Sequence, residues 1–224
     1  MKGRHIVVTG AFGILGSAVV RALEHAGAKV ASVDRAPKPA GVSGIAFGDV
    51  DIADAASASR TFAEAEKQMG GLDGLVNIAG TFRWETLEDG RVETWDFLYN
   101  VNLKTAVVAS KTALPWLLKS KGAIVNVSAA ATAKAAAGMG AYTASKSGVS
   151  RLTESLADET KAKSVRVNAV LPTIIDTPQN RKDMPDADFT KWVTPDELAN
   201  VIVFLLSEKS SAITGALIPV SGRV

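Results

Sequence analysis

A tyrosine and a lysine stand four residues apart in the segment 141–146, at Tyr142 and Lys146. On a helix, residues at this spacing lie on one face, one turn from each other. A free phenol has a pKa of about 10, and a nearby ammonium ion favours the phenolate and lowers that pKa. The pair therefore predicts a group that exchanges a proton with a substrate oxygen near pH 7. Taken alone, the pattern is more typical of a helix with one buried tyrosine and one solvated lysine, so the surrounding elements must support the chemistry.

The composition excludes several classes of function. The 224 residues are 47% hydrophobic and 21% charged, with a formal net charge of +2, which predicts a single domain over residues 1–224. Lysine and arginine are scattered, so we expect no nucleic-acid partner. There is no cysteine and the only histidines are His5 and His25, which argues against thiol chemistry and a metal site. No stretch is long enough to span a membrane or to serve as a signal peptide, and we expect a soluble cytoplasmic protein.

The first 34 residues predict a β-α-β unit with glycines at its first turn. Strands at residues 5–8 and 28–33 flank a helix at 17–26. Such a turn lets the backbone approach a pyrophosphate, which the helix N-terminus also attracts. The predicted cofactor contacts of the turn are Gly10, Phe12, Gly13, Ile14, Leu15 and Gly16. Asp34 follows the second strand, where an acid binds the adenosine ribose, so we expect NAD with NADH preferred. The flanking Arg35 keeps NADP open.

The remaining elements complete an α/β fold. We predict one Rossmann-type, doubly wound, mostly parallel seven-stranded sheet with helices on both faces. Further strands are expected at 44–48, 72–77, 123–128, 165–171 and 216–220, and helices at 53–69, 95–119, 142–161 and from 194 onward. The helix at 95–119 should bend near Asn102. Residues 129–137 are predicted as a loop, with an extended helix as the alternative, and residues 173–193 as irregular.

Along its whole length, the chain resembles the short-chain dehydrogenases/reductases. The motifs that carry this resemblance are Thr9-Gly10, Asp49-Val50, Asn77-x-Ala79-Gly80, Asn102, Tyr142 with Lys146, and Asn168 with Pro172. The resemblance implies NAD(P), a proton relay through Tyr142 and Lys146, a water held by Asn102, and a nicotinamide ribose bound by Lys146. It also implies cofactor contacts from Asp49, Val50, Asn77, Ala79, Gly80, Pro172, Ile175 and Thr177. Assembly as a homodimer or homotetramer is implied as well, with helices near 103–119 and 142–161 at the interface.

Two departures from that family's usual pattern matter. The glycines are spaced Gly10-x-x-Gly13-x-x-Gly16, one residue shorter than the commonest form. The active-site serine usually stands thirteen residues before the tyrosine, and Ala129 occupies that position here. Ser128 is adjacent, but on a strand its side chain points to the opposite face. Either the hydroxyl is absent from the site or a local bulge brings Ser128 into it.

A narrower resemblance covers both departures. Residues 171–195, with Gly138-Met139, look like dihydropteridine reductases, which also combine this glycine spacing with alanine at the serine position. Those enzymes reduce quinonoid dihydropterins with NADH, and Phe82 and Trp84 are candidates to stack on such a ring. An ordinary loop-anchoring role is as good a prediction for these two aromatics. A general carbonyl reductase or alcohol dehydrogenase that uses Ser128 is the alternative, and a non-catalytic dinucleotide-binding regulator is a third.

Overall fold

Seven parallel strands form a single sheet in the computed structural model, which describes all residues from 1 to 224. They are β1 (His5–Thr9), β2 (Lys29–Val33), β3 (Ile45–Phe47), β4 (Gly74–Asn77), β5 (Ala123–Val127), β6 (Arg166–Pro172) and β7 (Leu217–Val220). The strand order is β3-β2-β1-β4-β5-β6-β7, and every neighbouring pair is parallel. The predicted α/β class and strand number are confirmed, and the sheet is entirely rather than mostly parallel.

Seven α-helices cover the sheet. They are α1 (Ile14–His25), α2 (Ala55–Met69), α3 (Val92–Leu98), α4 (Thr105–Ser120), α5 (Gly140–Thr160), α6 (Pro178–Asp183) and α7 (Pro195–Leu206). Helices α1 and α7 pack on one face of the sheet, whereas α2, α4 and α5 pack on the other. In β1, Ile6 and Val8 face the first group and Val7 faces the second. Strands buried on both faces explain the near-continuous apolar runs of the sequence.

The two predicted loop regions differ in outcome. Residues 129–137 contain only a single 3-10 turn, Ala130–Thr132, so the loop prediction is confirmed. Residues 173–193 are not simply irregular, because α6 lies within them, and that prediction was wrong. Thr177 caps α6 through its hydroxyl, which accepts from the Asn180 N–H, and Pro178 takes the first helical position. The same Thr-Pro start occurs at Thr194-Pro195, where α7 begins as predicted and carries a capping box between Thr194 and Glu197.

A π-helical segment, Tyr99–Lys104, joins α3 to α4 at the position of the predicted bend. Its hydrogen bonds span one residue more than those of an α-helix, and such segments are frequent at functional sites. Asn102 is the buried member of this segment. None of the helices is both long enough and apolar enough to cross a membrane.

On the expected interface helix near 103–119, the small residues are buried within the chain. Ala106, Ala109 and Ala113 are buried on α4, and the latter two belong to the core between the sheet and its helices. The exposed large side chains in this region are Trp95, Tyr99 and Val107. Any partner helix would therefore meet these residues rather than the alanines.

Candidate active site

A cleft of about 1180 Å³ lies where the strand order reverses, beyond the carboxyl ends of β1 and β4. Ligands of open parallel sheets bind at this position. Eight groups of residues line the cleft: the glycine turn, the segments that follow β2, β3, β4, β5 and β6, the stretch 100–105 between α3 and α4, and the start of α5. The fold therefore places the Tyr-Lys pair and all predicted nucleotide contacts except Asp49 and Asn77 around one cavity.

The glycine turn is built for close approach of the backbone. Gly10 has φ +67°, and a methyl group there would lie 2.7 Å from the Ala79 nitrogen. A methyl group on Gly16 would lie 2.0 Å from the Gly10 carbonyl oxygen. Gly13 begins α1 without any side-chain cap, which leaves the first N–H groups of the helix available to an anion. With Phe12, Ile14 and Leu15 also lining the cleft, the turn fits the pyrophosphate of a dinucleotide.

Asp34 is fixed at the end of β2. Its carboxylate accepts hydrogen bonds from the Phe12 N–H at 2.8 Å and from the Ala36 N–H at 2.9 Å, one on each oxygen. Each carboxylate oxygen can accept a second bond, so the group is oriented but still able to receive ribose hydroxyls. Arg35 also lines the cleft and forms no ion pair in the structure.

The structure separates the two predicted adenine contacts, Asp49 and Val50. Asp49 has φ +58° and its N–H donates to the Ala36 carbonyl; the residue is exposed and does not line the cleft. Val50 does line it, as predicted, but the acid that does so is Asp51. The Asp51 carboxylate accepts from the Ala53 N–H at 2.9 Å. The sequence signal for Asp51 was Asp54, whose side chain caps the N-terminus of α2. The turn that lines the cleft lies just before that helix, and Asp51 is the acid in it.

The segment after β4 divides between core and cleft. Ala79 and Gly80 line the cleft, as predicted, whereas Asn77 does not. The Asn77 amide is buried and donates to Ser110 at 3.1 Å and to Asn126 at 2.8 Å. The Asn77 side chain therefore links the sheet to α4 and lies outside the cleft lining.

Tyr142 and Lys146 lie one turn apart on α5, and both line the cleft. Burial raises the pKa of the Tyr142 phenol to about 12 and lowers the pKa of the Lys146 ammonium to about 8. The expected lowering of the phenol pKa is therefore wrong for this structure, because desolvation dominates. The ring of Phe82 meets the Tyr142 ring edge-on at a centroid distance of 4.9 Å. This contact adds to the apolar surroundings that keep the phenol neutral.

Lys146 is held by main-chain atoms of β5. Its Nζ donates to the Val127 carbonyl at 2.9 Å. A methyl group on Gly80 would lie 3.1 Å from this Nζ and 2.9 Å from the Asn102 Oδ1. The chain after β4 thus passes between the lysine and Asn102 at a point where only glycine fits without displacement.

Asn102 is tied into the same region by its side chain. Its Oδ1 accepts from the Thr81 N–H at 2.7 Å and its Nδ2 donates to the Ser145 hydroxyl at 2.9 Å. The Ser145 hydroxyl in turn donates to the Tyr142 carbonyl at 2.7 Å. Both polar ends of the amide have partners within the protein, and they join the π-helical segment to the chain after β4 and to the second turn of α5. A water in the relay would therefore be bound by the Asn102 main chain.

Ser128 and Ala129 occupy different surroundings. The Ser128 hydroxyl is 1% exposed, donates to the Lys146 carbonyl at 2.9 Å and lies 2.8 Å from the Ser150 hydroxyl. These contacts engage the hydroxyl with α5. Ala129 follows in extended conformation, and both residues line the cleft together with Ala130 and Ala131. The difference lies in the hydroxyl, which Ser128 uses in bonds to α5 and Ala129 lacks.

The remaining predicted residues also line the cleft. Pro172, Ile175 and Thr177 are the predicted cofactor contacts among them, and Phe82 and Trp84 are the candidates to stack on a substrate ring. Sequence reasoning missed Met139 beside the tyrosine and three residues on or directly after α6. These three are Asn180, Asp183 and Met184. The Thr177-Pro178 pair was the available signal, because it marks a helix start inside the stretch predicted as irregular.

The α6 segment is anchored by local polar contacts. The Arg181 guanidinium donates to both oxygens of Asp176, at 2.6 and 2.7 Å, and lies over the Phe189 ring. The Asn180 amide donates to the Ile175 carbonyl at 2.7 Å. The pKa of the half-buried Asp176 carboxyl is lowered by its hydrogen bond with Arg181. These contacts hold the segment that closes one side of the cleft.

A dinucleotide-binding turn, a cleft at the switch point of the sheet and a Tyr-Lys pair together define a nicotinamide-dependent oxidoreductase. The chain belongs to the short-chain dehydrogenase/reductase family, whose members bind NAD(P). The matching family model, described as enoyl-(acyl carrier protein) reductase, covers residues 10–222.

Similar proteins support this assignment across the whole chain. An inactive 2-(S)-hydroxypropyl-CoM dehydrogenase 2 from Xanthobacter autotrophicus is 36% identical over 225 residues, covering 91% of this chain and 98% of that protein. An L-xylulose reductase from Mesocricetus auratus is 32% identical over 239 residues, covering 99% and 96%. The structure of a short-chain type dehydrogenase/reductase from Mycobacterium ulcerans matches with a TM-score of 0.91 at 25% identity, covering 100% of this chain and 90% of that one.

Proposed function

We propose that this oxidoreductase uses NADH to reduce a conjugated, already activated acceptor of the quinonoid dihydropterin type. The observation that carries the proposal is the pair Ser128 and Ala129. Alanine lines the cleft at the serine position, and the neighbouring serine hydroxyl is engaged with α5. An oxyanion donor is typically worth about 3–4 kcal/mol in the transition state. A ketone needs that help, whereas a quinonoid ring accepts hydride without it.

The roles of Tyr142 and Lys146 in the site suit such an acceptor. NADH, when bound, supplies the hydride. Tyr142 is neutral at pH 7, since burial raises its pKa to about 12, so it is a proton donor to the reduced ring. Lys146, whose pKa burial lowers to about 8, is still largely protonated at pH 7 and holds its place through the Val127 carbonyl. Positioning and one proton are the contributions required of the protein.

The preference for NADH follows from Asp34. Its carboxylate is oriented by two backbone N–H groups and has acceptor capacity left for the ribose hydroxyls. A 2′-phosphate at that position would meet a negative charge. Arg35 is the residue that would reduce this discrimination.

A general carbonyl reductase is the second candidate. The observation in its favour is the range of names among similar proteins, which include the L-xylulose reductase described above. This reading requires Ser128 or another donor to reach the substrate carbonyl. It therefore needs a rearrangement of the hydrogen bonds that now hold Ser128.

One assay separates these readings. NADH oxidation is followed with quinonoid dihydropterin, generated in the cuvette, and with a panel of ketones and sugars at matched concentrations. The proposal predicts a kcat/KM for the pterin at least a hundredfold above that for any ketone. Faster turnover of a ketone would contradict the proposal and favour the second candidate. No turnover of any acceptor, with NADH binding intact, would favour a non-catalytic regulator.

A further inference from the structure

Two loops meet at the mouth of the cleft, residues 81–91 and 129–139. The Trp84 Nε1 donates to the Ala137 carbonyl at 3.0 Å, and the Glu85 N–H donates to the Gly138 carbonyl at 2.8 Å. These two bonds join segments that are more than fifty residues apart in the chain. The orientation of the Trp84 ring is thereby fixed by its polar end.

Gly138 makes this arrangement possible. Its φ is +74°, in the left-handed region that favours glycine, and a methyl group there would lie 2.2 Å from Trp84 Cε2 and 2.3 Å from Nε1. Any larger residue would push the indole away from Ala137. The position is therefore constrained twice, by its backbone conformation and by the ring against it.

The indole remains accessible although it is fixed. Trp84 is 61% exposed and Phe82 is 51% exposed, and both line the cleft. Phe82 also contacts Tyr142. A fixed, exposed aromatic surface binds a planar ring at low entropic cost, because its side chain loses little freedom on binding.

We propose that Gly138 determines substrate specificity by seating Trp84 as a rigid aromatic platform for planar heterocyclic acceptors. The inference rests on the proposed function insofar as that function makes the acceptor a conjugated ring. Gly138 stands four residues before Tyr142, with α5 beginning between them at Gly140. The platform and the proton donor are thus held by one short segment, which fixes the ring plane relative to the phenol.

The test is binding of fully oxidised biopterin, a planar probe that requires no turnover, measured by calorimetry at saturating NAD⁺. Gly138→Ala should raise its Kd on the order of ten- to a hundredfold, the range for stacking of a base on an aromatic side chain. The Kd for NAD⁺ should stay within twofold. The matched control is Gly41→Ala, because Gly41 has φ +82° and nothing within 4 Å of an added methyl group. It carries the same backbone strain without displacing an aromatic ring.

Two further variants keep the test decisive if Gly138→Ala does not fold. Trp84→Leu should weaken biopterin binding as much as Gly138→Ala, and Trp84→Phe should recover most of the loss, because it restores a ring. Equal biopterin affinity in Gly138→Ala and Gly41→Ala would overturn the platform. So would a folded Trp84→Leu variant that binds biopterin with wild-type affinity. A wild-type protein that binds no biopterin would overturn it as well. If the wild type reduces no quinonoid dihydropterin but binds biopterin in a Gly138-dependent way, the proposed reaction fails and the platform stands.

Discussion

Replacing Ser128 with alanine should lower stability and leave catalysis nearly unchanged. The hydroxyl makes two buried hydrogen bonds with α5, to the Lys146 carbonyl and with Ser150. Each is worth about 0.5–1.5 kcal/mol net, so we expect a loss of about 1–2 kcal/mol in the free energy of unfolding. For a chain of this size that corresponds to a fall of roughly 2–8 °C in Tm. The kcat for quinonoid dihydropterin should change less than threefold.

The assay pairs thermal unfolding with steady-state kinetics on the same preparations. Ser210→Ala is the matched control, since that serine is equally buried and its hydroxyl is bonded outside the cleft. The hydroxyl lies 2.9 Å from the Leu205 and Ser207 carbonyls, to which it donates its one hydrogen, and accepts from the Arg166 guanidinium. Both variants should lose comparable stability and neither should lose turnover. A hundredfold loss of kcat in Ser128→Ala with an unchanged Tm would show that Ser128 is the oxyanion donor, and the reasoning from its orientation would be refuted.

Adding a hydroxyl at Ala129, the residue next to Ser128, tests whether this position can supply an oxyanion donor. Ala129→Ser places a hydroxyl on a residue that lines the cleft. We expect kcat/KM for simple ketones to rise at least tenfold, because a new donor meets the developing oxyanion. Ala131→Ser, two residues further along the cleft wall, is the control. An equal rise in both variants would contradict a specific role for position 129.

Four further outcomes are expected. Asp34→Ala should lower the ratio of kcat/KM with NADH to kcat/KM with NADPH at least tenfold. A wild-type protein that is equally efficient with both cofactors would contradict the assignment of Asp34. Tyr142→Phe should lower kcat while the Kd for NADH stays within twofold, whereas Lys146→Ala should impair both, and equal modest losses would refute the two roles. Because burial lowers the pKa of Lys146 to about 8 from 10.5, the unfolded state binds more protons between these values. This residue therefore makes stability rise with pH from about 8 to 10, and the urea midpoint of Lys146→Met should lack that rise relative to wild type. Finally, light scattering at micromolar concentration should show a homodimer or homotetramer, with Trp95→Glu and Tyr99→Glu shifting it toward monomer; a wild-type monomer would remove this prediction.

Much of the fold could be predicted because its signals are local. Buried parallel strands appear as short apolar runs, and glycines mark the turns that follow them. Helix α6 was missed because six residues are too few to show a periodicity. Its start at Thr177-Pro178 has the same Thr-Pro pattern as Thr194-Pro195, where the predicted helix α7 begins.

The site was predicted less completely, for two physical reasons. Asp49 and Asp51 are both acids in one turn, and only the backbone path, with φ +58° at Asp49, determines which one reaches the cleft. The pKa of Tyr142 depends on burial by residues distant in sequence, among them Phe82. Burial of this kind has no signature in a four-residue motif. The contact of Trp84 with Gly138 is equally invisible, since it joins two loops.

The π-helical segment Tyr99–Lys104 has a consequence for how the gene can change. Removing one residue there would turn the segment into ordinary α-helix and change the directions in which its own side chains point. Asn102 would then lose its bonds to Thr81 and Ser145, even where the deleted residue itself does not line the cleft. Single-codon deletions should therefore be tolerated in the exposed loop 37–44 and eliminated in 99–104. A library of such deletions can be sorted for folded and active protein. We expect survivors with deletions in 37–44 and none with deletions in 99–104.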